Sequence, residues 1–185
     1  MEGIRQKGQE FAYKICIFGD KGVGKTTLVH RYLTDEFHEN MQATLGASIH
    51  IKDIELENGK VTLHIWDFGG QKRFKFLISS YARGSVGAIF MFDLTNDESL
   101  IALNDWLPEY GKTVRSIPLI MVGGKLDLDQ QRVCKKDDVS EIMTRYNFYK
   151  YIECSSKTGE NVESVFRILV LKILEDKGYK YIKFK

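Results

Sequence analysis

Gly19-Asp-Lys-Gly-Val-Gly-Lys-Thr26 sets its glycines, a lysine and a threonine at the spacing G-x-x-x-x-G-K-[ST]. These residue types can hold a polyphosphate. Glycines let the chain turn sharply, so that successive N–H groups point at phosphate oxygens. A helix beginning at the lysine adds partial positive charge. Lys25 can reach the β- and γ-phosphates, and the Thr26 hydroxyl can bind Mg²⁺. The alternative, a glycine-rich turn without a ligand, is opposed by the Lys-Thr ending and by the flanks. Tyr13-Lys14-Ile15-Cys16-Ile17-Phe18 reads as a buried strand, and Thr27-Leu28-Val29-His30-Arg31-Tyr32-Leu33 as the first turns of a helix.

The elements that must position this loop alternate along the chain. Apolar runs predict strands over 11–18, 47–56, 60–67, 87–93, 118–123 and 150–154. Helical patterns cover 25–35, 72–82, 97–110, 136–146 and 161–176. Glu57-Asn58-Gly59-Lys60 joins the second and third strands through a hairpin signal, so one antiparallel pair is expected. The remaining alternation predicts an α/β fold: a six-stranded, mostly parallel sheet with helices on both faces. Ligands in such sheets bind beyond the carboxyl ends of the strands. Three further motifs fall there: Trp66-Asp67-Phe68-Gly69-Gly70-Gln71, Gly123-Gly124-Lys125-Leu126-Asp127 and Cys154-Ser155-Ser156-Lys157.

The chain has 185 residues, which fits one domain, and 43% hydrophobic against 28% charged residues is ordinary for a globular protein. A net charge of +2, from 27 basic and 25 acidic residues, gives no nucleic-acid footprint. Cys16, Cys134 and Cys154 are widely spaced and read as packing thiols, so neither zinc nor a disulfide framework is expected. The four histidines have no ligand spacing. With no signal-peptide pattern and no long apolar run, a cytoplasmic location is expected.

In this order and placement the motifs resemble the Ras superfamily of small GTPases over residues 11–176. The remainder divides into an N-terminal extension, 1–10, and a basic-aromatic tail, 177–185. "IWDFGGQKRF" and "SSYARGSVGAIFMFDLT" are similar to the Rab branch around its second switch, and "ATLGASI" and "FMFDLT" to the yeast septation-pathway GTPases. The resemblance implies a P-loop NTPase fold and a molecular switch that binds GTP or GDP with Mg²⁺ and hydrolyses GTP slowly. Partners would be an exchange factor, a GTPase-activating protein and effectors, engaged through residues around 38–47 and 68–80. Two rival readings stand beside it: a pseudo-GTPase interaction module with little turnover, and a P-loop kinase or ATPase.

The resemblance also implies roles by matched position. Main-chain groups of Gly22, Val23, Gly24, Lys25, Thr26 and Thr27 hold the phosphates. Thr26, Thr44 and Asp67 bind the metal, Asp67 through water. The Gly70 N–H meets the γ-phosphate, and Gln71 orients the attacking water. Phe37, seven residues before Thr44, packs on guanine or is a core phenylalanine. Asp127 suits guanine because a carboxylate accepts from both N1–H and the exocyclic amine, a donor pair that adenine lacks. Lys125 lies along the ring and braces the phosphate loop. Ser156 offers its N–H to the guanine O6, with Ser155 and Lys157 supporting the loop.

Three residues depart from the pattern. Lys21 stands where many relatives have glycine or serine, and either approaches the γ-phosphate or points into solvent. Lys72 stands where Rab-like chains carry glutamate. Gly124 replaces the asparagine of Asn-Lys-x-Asp, which removes a contact to the base and a tie between loops. On that reading Gly124→Asn should slow GDP release. The tail, residues 172–185, carries five lysines against Glu175 and Asp176, interleaved with aromatics. A solvated helix extension or a partner contact is expected of it ahead of peripheral membrane contact. No C-terminal cysteine offers a prenyl anchor in this chain.

Overall fold

The computed structural model describes residues 9–71, 77–112, 116–179 and 182–185. Six strands form one sheet: β1 Gln9–Phe18, β2 Ala47–Leu56, β3 Gly59–Phe68, β4 Gly87–Asp93, β5 Leu119–Gly124 and β6 Lys150–Glu153, in the spatial order β2-β3-β1-β4-β5-β6. Among the described strands only β2 and β3 run antiparallel, with Leu56 opposite Gly59 across the Asn58-Gly59 turn; β1 is parallel to both of its neighbours. The helices are α1 Lys25–Thr34, α2 Leu77–Tyr81, α3 Asp97–Ile101, α4 Leu103–Gly111, α5 Lys136–Arg145 and α6 Val162–Asp176.

Alternation along the buried strands divides the core in two. Ile15, Ile17, Ile89, Met91, Ile120 and Val122 face α1 and α6, where Leu28, Val29, Phe166, Leu169 and Val170 cover them. Cys16, Phe18, Ala88, Phe90, Phe92 and Met121 face the other way, against Leu100, Leu103, Trp106, Tyr110, Val139 and Ile142. All three cysteines are buried free thiols. Burial pushes the Cys16 and Cys154 thiols up to about 12, so neither is a thiolate at neutral pH.

Three details differ from the sequence reading. The helix expected over 97–110 breaks at Ala102 into α3 and α4. Pro108 lies inside α4 and cannot donate to the Asn104 carbonyl one turn back, which weakens the first turn after the break. A 3-10 turn, Leu126–Gln131, follows β5 and was not expected; Lys125 enters it in the left-handed region, φ 64°. Residues 182–185 are not a helix extension: Ile182 and Phe184 pack back on the protein while Lys183 and Lys185 stay exposed. Phe184 bridges to Leu56, the Glu57 N–H donates to the Lys183 carbonyl (2.9 Å), and the Arg167 guanidinium lies 4.7 Å over the Phe184 ring. Of the helix expected over 72–82, residues 72–76, Lys72 among them, lie outside the described residues, as does most of the expected N-terminal extension. Among the described residues no helix is long and apolar enough to cross a membrane.

Candidate nucleotide site

β1 is central, with β3 on one side and β4 on the other, and the strands that follow β1 lie on both sides of it. Its carboxyl end is therefore the point where a crevice opens in a sheet of this kind. The phosphate loop turns there. Gly24 caps α1 at φ 99°, a conformation that a side chain would strain. Lys25 is 6% exposed, and its ammonium donates to the carbonyls of Gly19 (3.0 Å) and Asp20 (2.8 Å). Burial lowers its pKa to about 8, against the opposing charges of Asp67 and Asp20.

The three residues expected to hold a metal come together from three elements. The Thr26 hydroxyl, in the first turn of α1, donates to the Asp67 carboxylate at the end of β3 (2.5 Å). The Thr44 hydroxyl lies 2.7 Å from that of Thr26 and donates to the same Asp67 oxygen at 3.4 Å. Asp67 is fully buried and its Oδ1 has no hydrogen-bond partner among the described residues. Burial raises its carboxyl pKa, opposed by the Thr26 hydroxyl and Lys25. A carboxylate with an unsatisfied oxygen beside two hydroxyls is an all-oxygen donor set, which fits Mg²⁺. Among the described residues no cluster of three or more His, Cys, Asp or Glu suits another metal.

Backbone contacts join this corner. The Gly69 N–H donates to the Gly46 carbonyl at 2.8 Å. A β-carbon on Gly69 would strike the Thr44 carbonyl, and one on Gly70 the Asp20–Lys21 peptide. Both positions thus require glycine for space. A cleft of about 310 Å³ opens between these segments, lined by Lys25, Thr26, Thr44, Gly70 and Gln71. Lys21 lines it too, as an exposed side chain.

A second chamber, about 370 Å³, shares Gly22, Gly24 and Thr27 with the first and continues to Phe37, Met91, Lys125, Asp127, Ser156 and Lys157. Phe37 is half-buried in its wall and belongs to neither hydrophobic core. Asp127 is exposed and is fixed by the buried Ser155, whose hydroxyl donates to it at 2.6 Å. The Leu126 N–H donates to the Cys154 carbonyl, and the Cys154 N–H to that of Gly123 (3.0 and 2.9 Å). Loops from separate strands are thereby held in one register. Lys125 has a partner that the sequence did not suggest: its ammonium pairs with the Asp93 carboxylate at 2.6 Å, at the end of β4. Gly124 also has a neighbour the sequence did not show. The space for a side chain there is already filled by the Met91 terminal methyl, which a β-carbon would overlap. Met91 had no distinguishing signal in the sequence, where it is one apolar residue of a buried strand.

The two chambers at the end of β1, one basic and oxygen-lined and one carrying a carboxylate, define a P-loop nucleotide-binding protein. The chain belongs to the Ras family, whose sequence model matches residues 14–175. It is similar to the Ras-related protein Rab-1 of Theileria parva, with 34% identity over 177 residues, 95% of this chain and 80% of that protein. It is also similar to Rab-7b of Bos taurus, 39% identical over 165 residues (87% and 82%), and to Rab-8B of Homo sapiens, 32% identical over 169 residues (91% and 81%). It is therefore a small GTPase of the switch class near the Rab branch, a GTP hydrolase. The kinase or ATPase reading has no support in these relatives.

Proposed function

We propose that this small GTPase holds the guanine base in the Asp127 chamber and the phosphates with Mg²⁺ in the Lys25 chamber. The observation that carries this reading is the convergence of Thr26, Thr44 and Asp67 on one point beside Lys25. Three segments far apart in sequence meet there over a few ångströms. Phosphate oxygens accept from the main-chain N–H groups of residues 22–27 and from the Lys25 ammonium. Mg²⁺, when bound, neutralises charge on the β- and γ-phosphate oxygens. Gln71 orients the attacking water, and the Gly70 N–H donates to the γ-phosphate. Catalysis of this kind rests on positioning and charge stabilisation.

In the base chamber Asp127 accepts from guanine N1–H and the exocyclic amine. A carboxylate has about four lone-pair sites, so the Ser155 hydroxyl leaves enough for both. The Ser156 N–H faces O6, Phe37 packs on one side of the ring, and Lys157 supports the loop. The Gly69–Gly46 hydrogen bond links the segments around 38–47 and 68–71, so the presence of the γ-phosphate is passed to both. An exchange factor, an activating protein and effectors read that difference. The protein works in the cytoplasm or at the periphery of a membrane.

Competition against a fluorescent GDP analogue, with and without magnesium, tests the assignment. GTP and GDP displace it and ATP does not, and affinity falls when magnesium is chelated. Equal displacement by ATP would refute the base site.

A further inference from the structure

Met91 lies in β4, opposite Val122 of β5, and is 1% exposed. Its main-chain carbonyl sits so close to Gly19 that no side chain fits there. Its terminal methyl lies 3.5 Å from where a β-carbon on Gly24 would stand, and it occupies the place of a side chain on Gly124. One methionine therefore touches the first glycine of the phosphate loop, the last glycine of that loop, and the glycine that opens the base loop. It also forms part of the wall of the base chamber, with Phe37, Lys125 and Asp127.

Gly124 is not required by its backbone. It is not among the residues at positive φ, so a side chain is excluded by space alone. That space is bounded by the Val23 carbonyl at 3.1 Å, the Phe92 carbonyl at 3.4 Å and the Met91 methyl. Two of these are rigid backbone and one is the tip of a flexible side chain. A residue larger than glycine must displace the methionine. Met91 shares its core cluster with the fully buried Ile17, Val122 and Ile89, and close-packed interiors leave little room to move. The opening that Met91 lines is the base chamber.

We infer that Met91 is a positioning residue for the base, an apolar brace between the phosphate loop and the base loop that stands where relatives use the asparagine side chain. The inference rests on the base-chamber reading given above. A thioether suits the role because it is unbranched and fills irregular gaps. The pair is reciprocal. The methionine fits only because residue 124 has no side chain, and glycine is tolerable only because the methionine supplies the missing contact. Gly124→Asn alone drives Met91 into the space of the base and so speeds nucleotide release, opposite in sign to the expectation from sequence.

Stopped-flow release of a fluorescent GDP analogue from four proteins tests this: the parent, Met91→Val, Gly124→Asn and the double variant. Valine keeps an apolar, strand-compatible residue while withdrawing the terminal methyl. Each single variant should release GDP about tenfold faster than the parent, and the double variant several-fold slower than either single, the non-additivity expected of residues in contact. Thermal melting of each GDP-bound protein separates loosened binding from misfolding. Slower release from Gly124→Asn alone, or a double variant whose effect is the product of the singles, would overturn the brace. A parent that binds ATP as well as GTP would instead overturn the base-chamber reading, whatever the variants do. If Gly124→Asn does not fold, Met91→Leu decides. It keeps the core volume, shortens the reach and should still speed release; an unchanged rate sinks the proposal.

Discussion

The Ser155 hydroxyl donates to the Asp127 carboxylate across 2.6 Å, a side-chain tie between the loop after β6 and the loop after β5. It holds an exposed carboxylate at one orientation on the rim of a chamber. Two consequences can be measured. Ser155→Ala should weaken GDP binding about tenfold, since a hydrogen bond to a charged group contributes about 1.5–3 kcal/mol. The loss should fall on guanine nucleotides and leave pyrophosphate binding unchanged.

Asp127→Asn should reverse the base preference. An amide still accepts from N1–H, but it presents a donor where guanine also presents one. Xanthine offers a carbonyl at that position. Guanine affinity should fall about 100-fold or more, because a buried polar mismatch is costly, and xanthosine diphosphate should become the better ligand. Titration with both nucleotides checks this, and unchanged guanine preference would move the base elsewhere.

Thr26→Ala removes one of the three oxygens that meet at Asp67. Affinity measured with magnesium should drop roughly 10- to 100-fold, a range seen when metal-site support is removed, while affinity measured in chelator should change little. Lys25→Ala should weaken binding under both conditions, because it deletes the charge that the proposed reading sets against the phosphates. If both variants lose affinity equally with and without metal, Thr26 is not at the metal site.

Gln71→Leu should slow single-turnover hydrolysis roughly tenfold or more while leaving GTP affinity intact, because only the transition state uses the amide. Following phosphate release from preloaded protein, alone and with an activating protein, decides it. Parental rates in both would exclude Gln71 from orienting the water.

The last prediction concerns stability. Arg132 grips Glu153 with two hydrogen bonds, 2.7 and 2.6 Å, and the Tyr151 hydroxyl donates to the same carboxylate at 2.7 Å. These contacts, the Arg132 guanidinium first, hold the Glu153 carboxyl below its ordinary pKa. The native state therefore favours the ionised form. Its contribution is complete above the usual carboxylate pKa of about 4.3 and is lost as pH falls through the lowered native value. Glu153→Gln should cost about 1–2 kcal/mol at pH 7. The gap to the parent should close in strong acid. Urea unfolding at stepped pH reads both, and a gap independent of pH would assign the loss to packing.

Much of this was legible in the chain because the strongest signals are local. The phosphate loop is eight consecutive residues, and Asn58-Gly59 needs only its neighbours to specify a turn. Thr44 and Gln71 have no such signature; one threonine or glutamine looks like any other until resemblance gives it a role. Space between strands was invisible. Met91 filling the vacancy beside Gly124, and Asp93 taking the Lys125 ammonium, both depend on β4 and β5 lying side by side, a contact between residues some 30 apart. The docking of the tail was invisible for a related reason. Alternating lysines and aromatics describe a surface, but composition could not show that Phe184 finds a bridge partner at Leu56.

The placement of that last bridge gives the molecule two poles. Glu55, beside Lys185, pairs in register with Lys60, and Asp67 lies seven residues further along the same strand. At about 3.3 Å per residue the two ends are roughly 23 Å apart. A fluorescent nucleotide and an acceptor dye on Lys185 would therefore sit well inside resonance-transfer range, and release of the tail would register as lost transfer without any contact to the nucleotide. By the same geometry, whatever grips residues 182–185 holds the molecule by the hairpin end and leaves the phosphate chamber facing outward.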